Sequence, residues 1–85
     1  MIVEIGNVNV MNVWSESFKG KDGEDVEFYR ALLNVPGEPP MQLAVAKDDF
    51  TDLCVYIGHE GVALVEIDAK PGNRVRVFFR GLVEA

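Results

Sequence analysis

The sequence predicts a mainly β domain in which five strands close into a small barrel, with one helix between the third and fourth strands. Three observations carry that expectation. Five stretches alternate apolar and polar residues with the period of two that a strand requires, and each is cut off by Gly, Pro or Asp-Gly turn chemistry. One stretch, Phe50 to Ile57, switches to helical spacing. The first strand is long and changes phase, so it can belong to two sheets at once.

Residues 2–18 form the first strand. Val3 and Ile5 are odd, Val8 and Val10 even, and Val13 odd again, with Gly6-Asn7 at the first switch as a bulge or sharp bend. Lys19 to Glu24 is a hairpin whose Asp22-Gly23 step favours positive φ. The second strand runs from Val26 to Val35 and ends at Pro36-Gly37-Glu38-Pro39-Pro40. The third is Met41 to Ala46, with Met41, Leu43 and Val45 on one face. Phe50, Leu53, Cys54 and Ile57 then follow the i, i+3, i+4, i+7 rule of an amphipathic helix, which Asp48 or Asp49 can cap and Gly58 can close. Gly61 to Ala69 is the fourth strand, Lys70-Pro71-Gly72-Asn73 a type II turn, and Arg74 to Val83 the fifth strand.

Composition sets the outer bounds. The chain has 85 residues, 48% of them hydrophobic and 26% charged, which is ordinary for one globular domain. A disordered tail, a collagen-like repeat and a two-domain enzyme are not expected. A chain this short buries only roughly 60–65% of its unfolded surface, so its core is thin and oligomerisation is a common remedy. Cys54 is alone and forms no intrachain disulfide. MIVEIGNVNV lacks a basic n-region, and the longest uncharged run, Ile5 to Ser15, is too short to span a bilayer. A cytoplasmic setting is expected.

The net charge is −6, which on the whole repels nucleic acid and anionic membranes. Lys70, Arg74, Arg76 and Arg80 nevertheless place +4 within one acid-free segment and leave −10 on the remainder. Screening over about 8 Å in physiological salt lets such a strip act locally.

The order β-β-β-α-β-β with a long bent first strand resembles the oligonucleotide/oligosaccharide-binding (OB) fold, a five-stranded Greek-key barrel, over essentially the whole chain. The resemblance implies a helix that plugs the bottom of the barrel. An SH3-like barrel is the competitor and lacks a full helix at that point. The inner face is then Tyr29, Ala31, Leu33 and Val35; Ala63, Val65, Ile67 and Ala69; and Val75, Val77 and Phe79, with Phe50, Leu53 and Ile57 from the helix.

The opposite face is less ordinary. It carries Val26, Phe28, Arg30 and Leu32 on the second strand, Val62 and Leu64 on the fourth, and Arg74, Arg76, Phe78, Arg80 and Leu82 on the fifth, with Trp14 and Phe18 sharing a parity on the first. Contiguous apolar surface marks an interface. Arg-x-Arg-x-Phe-x-Arg, with Phe28-x-Arg30 repeating the pairing, is the chemistry a single-stranded nucleic acid needs: cations for phosphates and rings for bases.

Together, element order and these residues resemble OB-fold single-stranded-DNA-binding proteins, including the small filamentous-phage type that works as a dimer. The resemblance implies a non-catalytic homodimer that coats single strands in phage or other mobile-element replication, without a cofactor. Arg30, Arg74, Arg76, Arg80, Lys19 and Lys21 would contact phosphates, and Trp14, Phe28 and Phe78 would stack bases. RNA is an open alternative to DNA. Two features depart from that family: Asp22, Glu24, Asp25 and Glu27 crowd the first hairpin, and the acidic tail of the cellular single-strand binders is not expected beyond Glu84.

Plainer readings stand beside these. The Arg strip can be an outer face salt-bridged to Glu66 and Asp68. Phe28, Phe78 and Trp14 can serve a protein partner, and Lys19 and Lys21 can be solvated hairpin charges. The second function class is therefore a protein-interaction or regulatory module with an acidic surface, including a DNA mimic. His59 has no second His, so it makes no zinc site with Cys54. Asp48, Asp49 and Asp52 read as helix-capping acids, and Gly20 and Gly23 as turn glycines. No catalytic constellation is visible, so no enzyme is expected.

Overall fold

The structure, a computed structural model, describes residues 1–72 and 74–84, and for Lys70 the backbone alone. Asn73, expected in the last turn, lies outside the described residues. The elements are β1 (Ile2–Lys19), β2 (Asp25–Asn34), β3 (Met41–Val45), a 3-10 turn (Lys47–Asp49) leading into α1 (Phe50–Cys54), β4 (Glu60–Lys70) and β5 (Arg74–Glu84). The strands close in the order β1-β2-β3-β5-β4. All pairings are antiparallel except β3 with β5, which meet in parallel at Ala44 and Phe78. This is the five-stranded OB-like Greek-key barrel that the order of elements predicts.

β1 closes the barrel by serving two neighbours. Residues 2–9 pair with β4 and residues 9–19 with β2. Register shifts fall between Ile5 and Val8 and between Val10 and Asn12. Asn7 adopts φ 56° at the first of them, a left-handed backbone that Asn tolerates better than most residues. The two shifts turn Val8, Val10 and Val13 into the core despite their mixed parity. Past the ladder with β4, the Val10 carbonyl accepts from the Gly58 N–H at 2.8 Å and the Val10 N–H donates to the His59 carbonyl at 3.0 Å, so both polar groups of Val10 are satisfied beside the bend.

Turn chemistry follows the residues. Gly23, Gly37, Gly58 and Gly72 all take positive φ, and the Glu38 N–H closes the Pro36-Gly37 turn on the Val35 carbonyl. Gly61 is required for space instead: a Cβ there would stand on the Val83 carbonyl oxygen, where β4 and β5 approach closely. Ala31, Leu33, Leu43, Val45, Leu53, Ala63, Val65 and Phe79 fill the interior, with Phe79 fully enclosed.

Four details depart from the expected pattern. Leu82, expected outside, is buried, because β5 carries an extra residue, Arg80, opposite the Leu64–Val65 step, and that bulge reverses the parity beyond it. Val75 and Ala69, expected inside, pair with each other in the β4–β5 hairpin past the barrel rim, and Val75 is 62% exposed. The helix ends at Cys54; Val55 to Gly58 turn away through i→i+3 hydrogen bonds and leave Ile57 41% exposed. No acidic side chain caps it: Asp49 makes no capping hydrogen bond, and its carboxylate lies 2.9 Å from the Arg80 guanidinium. Among the described residues no helix is long and apolar enough to cross a membrane.

Candidate nucleic-acid interface

The expected site residues come chiefly from three strands that pairing register links around the barrel wall. Trp14 pairs with Arg30, Arg30 with Ala44, Ala44 with Phe78, and Phe78 with Glu66, which makes one outward-facing row. At about 4.8 Å per strand, Trp14 and Phe78 are roughly 14 Å apart along that row. Small Ala44 keeps the middle of the row low.

β2 runs on past the end of β3 at Val45, and β5 meets β3 at the Ala44–Phe78 position alone. The wall of the barrel opens there into a groove of about 860 Å³. Its walls are Asp25 and 27–29 from β2 and 75–78 from β5, and its floor is 44–47. Phe28, Arg76 and Phe78, drawn from strands far apart in sequence, all line it. Lys47 at the floor is not among the residues the sequence singles out: it follows the end of a strand, where periodicity assigns no face.

The two walls differ in charge. Asp25 and Glu27 stand on the β2 side, Arg76 on the β5 side, with Lys47 between them. Glu27 is held in place. Its Oε2 accepts a 2.6 Å hydrogen bond from the Tyr29 hydroxyl, and the Tyr29 ring packs on Phe50 at 4.8 Å between centroids. That hydrogen bond, then desolvation, then the Glu27 charge push the Tyr29 phenol above its ordinary pKa, so it remains a donor at neutral pH.

Beside the groove the rings form a ridge. Phe18 meets Phe28 edge-on at 5.5 Å, and the Arg30 guanidinium lies 5.8 Å from the Phe28 centroid, within cation–π range. Glu16 ties the ridge together, accepting from the Trp14 indole N–H at 2.9 Å and facing Arg30 Nε at 3.5 Å. Strand alternation puts Trp14 and Glu16 on one face, and that is the available sequence signal for Glu16.

The cations divide into two sets. Arg30 has Glu16, and Arg80 has Asp49 and, at 3.9 Å, Glu66. Pairing of the Arg strip to Glu66 therefore holds for Arg80. Arg76 faces Asp68 in register, yet no ion pair among the described residues engages Arg74, Arg76, Lys19, Lys21 or Lys47. Arg74 and Arg76 are exposed near the tip of one hairpin, and Lys19 and Lys21 lie at the tip of the other. Compared with family models, curated proteins and solved structures, the chain gives no match.

Proposed function

We propose that this chain is a non-catalytic single-stranded-nucleic-acid-binding protein. The observation that carries the reading is the convergence of Phe28, Phe78 and Arg76 on one groove beside Lys47. Rings and cations in one channel are the two components that sequence-tolerant binding of single strands needs. The strand crosses the groove with bases against Phe28 and Phe78 and phosphates toward Arg76, Lys47 and Arg74; Lys19 and Lys21 extend the phosphate track at the other hairpin. Trp14 stacks at the far end of the row. DNA is the expected ligand, and the resemblance to filamentous-phage proteins suggests a homodimer acting in phage or other mobile-element replication.

A labelled single strand and a duplex of equal length, titrated by fluorescence anisotropy at two salt concentrations, test this. Saturable, salt-sensitive binding of the single strand alone is expected, with Trp14 emission quenched. Equal binding of both, or of neither at low salt, overturns it.

A second reading has its own support. Phe18, Val26 and Phe28 are exposed together on the β1–β2 hairpin, and Arg30 and Arg80 are already occupied by carboxylates. A protein-interaction module would use that apolar ridge. It would ignore the oligonucleotide, and Phe18→Ala, outside the groove, would abolish partner capture.

A further inference from the structure

We propose that Glu16 sets the selectivity of the site for single strands over duplex: it neutralises the cation that stands among the rings, so that exposed bases, and not phosphates alone, hold the ligand. This rests on the single-strand reading above. Strand register puts every group concerned on one face of the β1–β2 ribbon. Trp14 and Glu16 share a face of β1, and the residues directly opposite them on β2 are Arg30 and Phe28. Glu16 is divided between two of these neighbours. One oxygen accepts from the Trp14 indole N–H at 2.9 Å, and the other lies 3.5 Å from Arg30 Nε, whose guanidinium is in turn 5.8 Å from the Phe28 centroid. The Glu16 and Arg30 side chains are each 36% exposed, so the ion pair is open to a ligand that meets the rings.

A phosphate that reaches Arg30 therefore meets the Glu16 carboxylate as well, well inside the screening length of about 8 Å. The pair offers it little net charge. The rings lose nothing by this: Phe28 is 44% exposed and Phe18, edge-on to it, 50%. Stacking on them needs an unpaired base. A duplex keeps its bases stacked inside the helix and presents phosphates, one charge per about 1.7 Å of axis, so its affinity follows the local charge. Arg76, which no ion pair among the described residues engages, stands on the opposite wall of the groove. The cation beside the rings is thus the one whose charge is cancelled.

The experiment titrates labelled oligo-dT and a duplex of equal length, by anisotropy at several low salt concentrations, with the full chain and its Glu16→Gln and Glu60→Gln variants. The glutamine amide keeps an acceptor for the Trp14 N–H and removes the charge that faces Arg30. Glu16→Gln is expected to bind the duplex about tenfold more tightly and the single strand about two- to threefold more tightly, with about 0.9 added to the steepness of log duplex affinity against log salt as Arg30 takes up one phosphate. Glu60→Gln makes the same change in net charge at an exposed position where β4 begins, outside the groove lining, and should leave the ratio of the two affinities unchanged. An unchanged ratio in Glu16→Gln, or an equal change in Glu60→Gln, overturns the inference and leaves single-strand binding standing. Weaker single-strand binding in Glu16→Gln also overturns it, since the carboxylate would then only support Trp14. Failure of the full chain to bind the single strand overturns both.

Discussion

The two hairpins that flank the groove have similar backbones and opposite charge. Each is a two-stranded ribbon turned by a glycine with positive φ, Gly23 in one and Gly72 in the other. The β1–β2 hairpin sets Asp22, Glu24, Asp25 and Glu27 against Lys19 and Lys21, while the β4–β5 hairpin sets Arg74 and Arg76 against Asp68. The first also carries the rings Phe18 and Phe28. Ribbons that extend past a barrel have little core of their own, so their side chains are free of packing duty. On the proposed reading, the cations of β5 attract phosphates and a ring from each wall, Phe28 and Phe78, stacks bases.

The largest expected effect disrupts the β5 wall from behind. Phe79→Ala empties the centre of the core and should cost about 3–5 kcal/mol of stability by urea unfolding. Its neighbour Phe78 lines the groove, and Phe78→Ala should weaken single-strand binding by about 1–3 kcal/mol while costing far less stability. If both variants lose stability alike, the two faces of β5 are misassigned. Arg76→Ala probes the charge contrast: loss of one phosphate contact should lower the slope of log affinity against log salt by about 0.7. The matching change on the acidic wall, Asp25→Ala, should raise affinity slightly.

The smallest effect is spectroscopic. Because the folded protein holds the Tyr29 proton more tightly, its contribution to stability is present below the ordinary tyrosine value of 10.0 and is lost as pH rises through the raised one. In ultraviolet titration, Glu27→Gln should return this phenol toward the ordinary value. An unaltered titration would mean that Tyr29 does not hold Glu27.

Much of the architecture is legible in the residues. The bend at Gly6-Asn7 is readable because strict alternation cannot be kept through it: Ile5 is odd and Val8 even. The grouping of Phe28, Arg76 and Phe78 apart from the core follows from parity alone. Parity misplaces Leu82 because Leu82 and Val83 are both apolar and hide the change of face at Arg80. It misplaces Val75 because alternation identifies a face without telling where the barrel ends. Asp49 has the position of a cap, and its engagement by Arg80 depends on a contact between segments that no local pattern encodes. The charge division of the groove needs the register, which brings residues of β2, β3 and β5 to one opening.

The division of the groove is read most directly from the amide NMR spectrum of the isotope-labelled chain during titration with an unlabelled single strand. A length of about 25 nucleotides exceeds the roughly 4–16 that one such fold covers. Shift changes confined to residues 25–30, 44–47 and 74–78, with Trp14 at the end of the row and Lys19 and Lys21 at the hairpin tip, are expected. The region where His59 pairs with Glu84, away from the groove lining, should remain unchanged. Changes centred on His59 and Glu84, or none at all, would refute the assignment of the groove as the binding site.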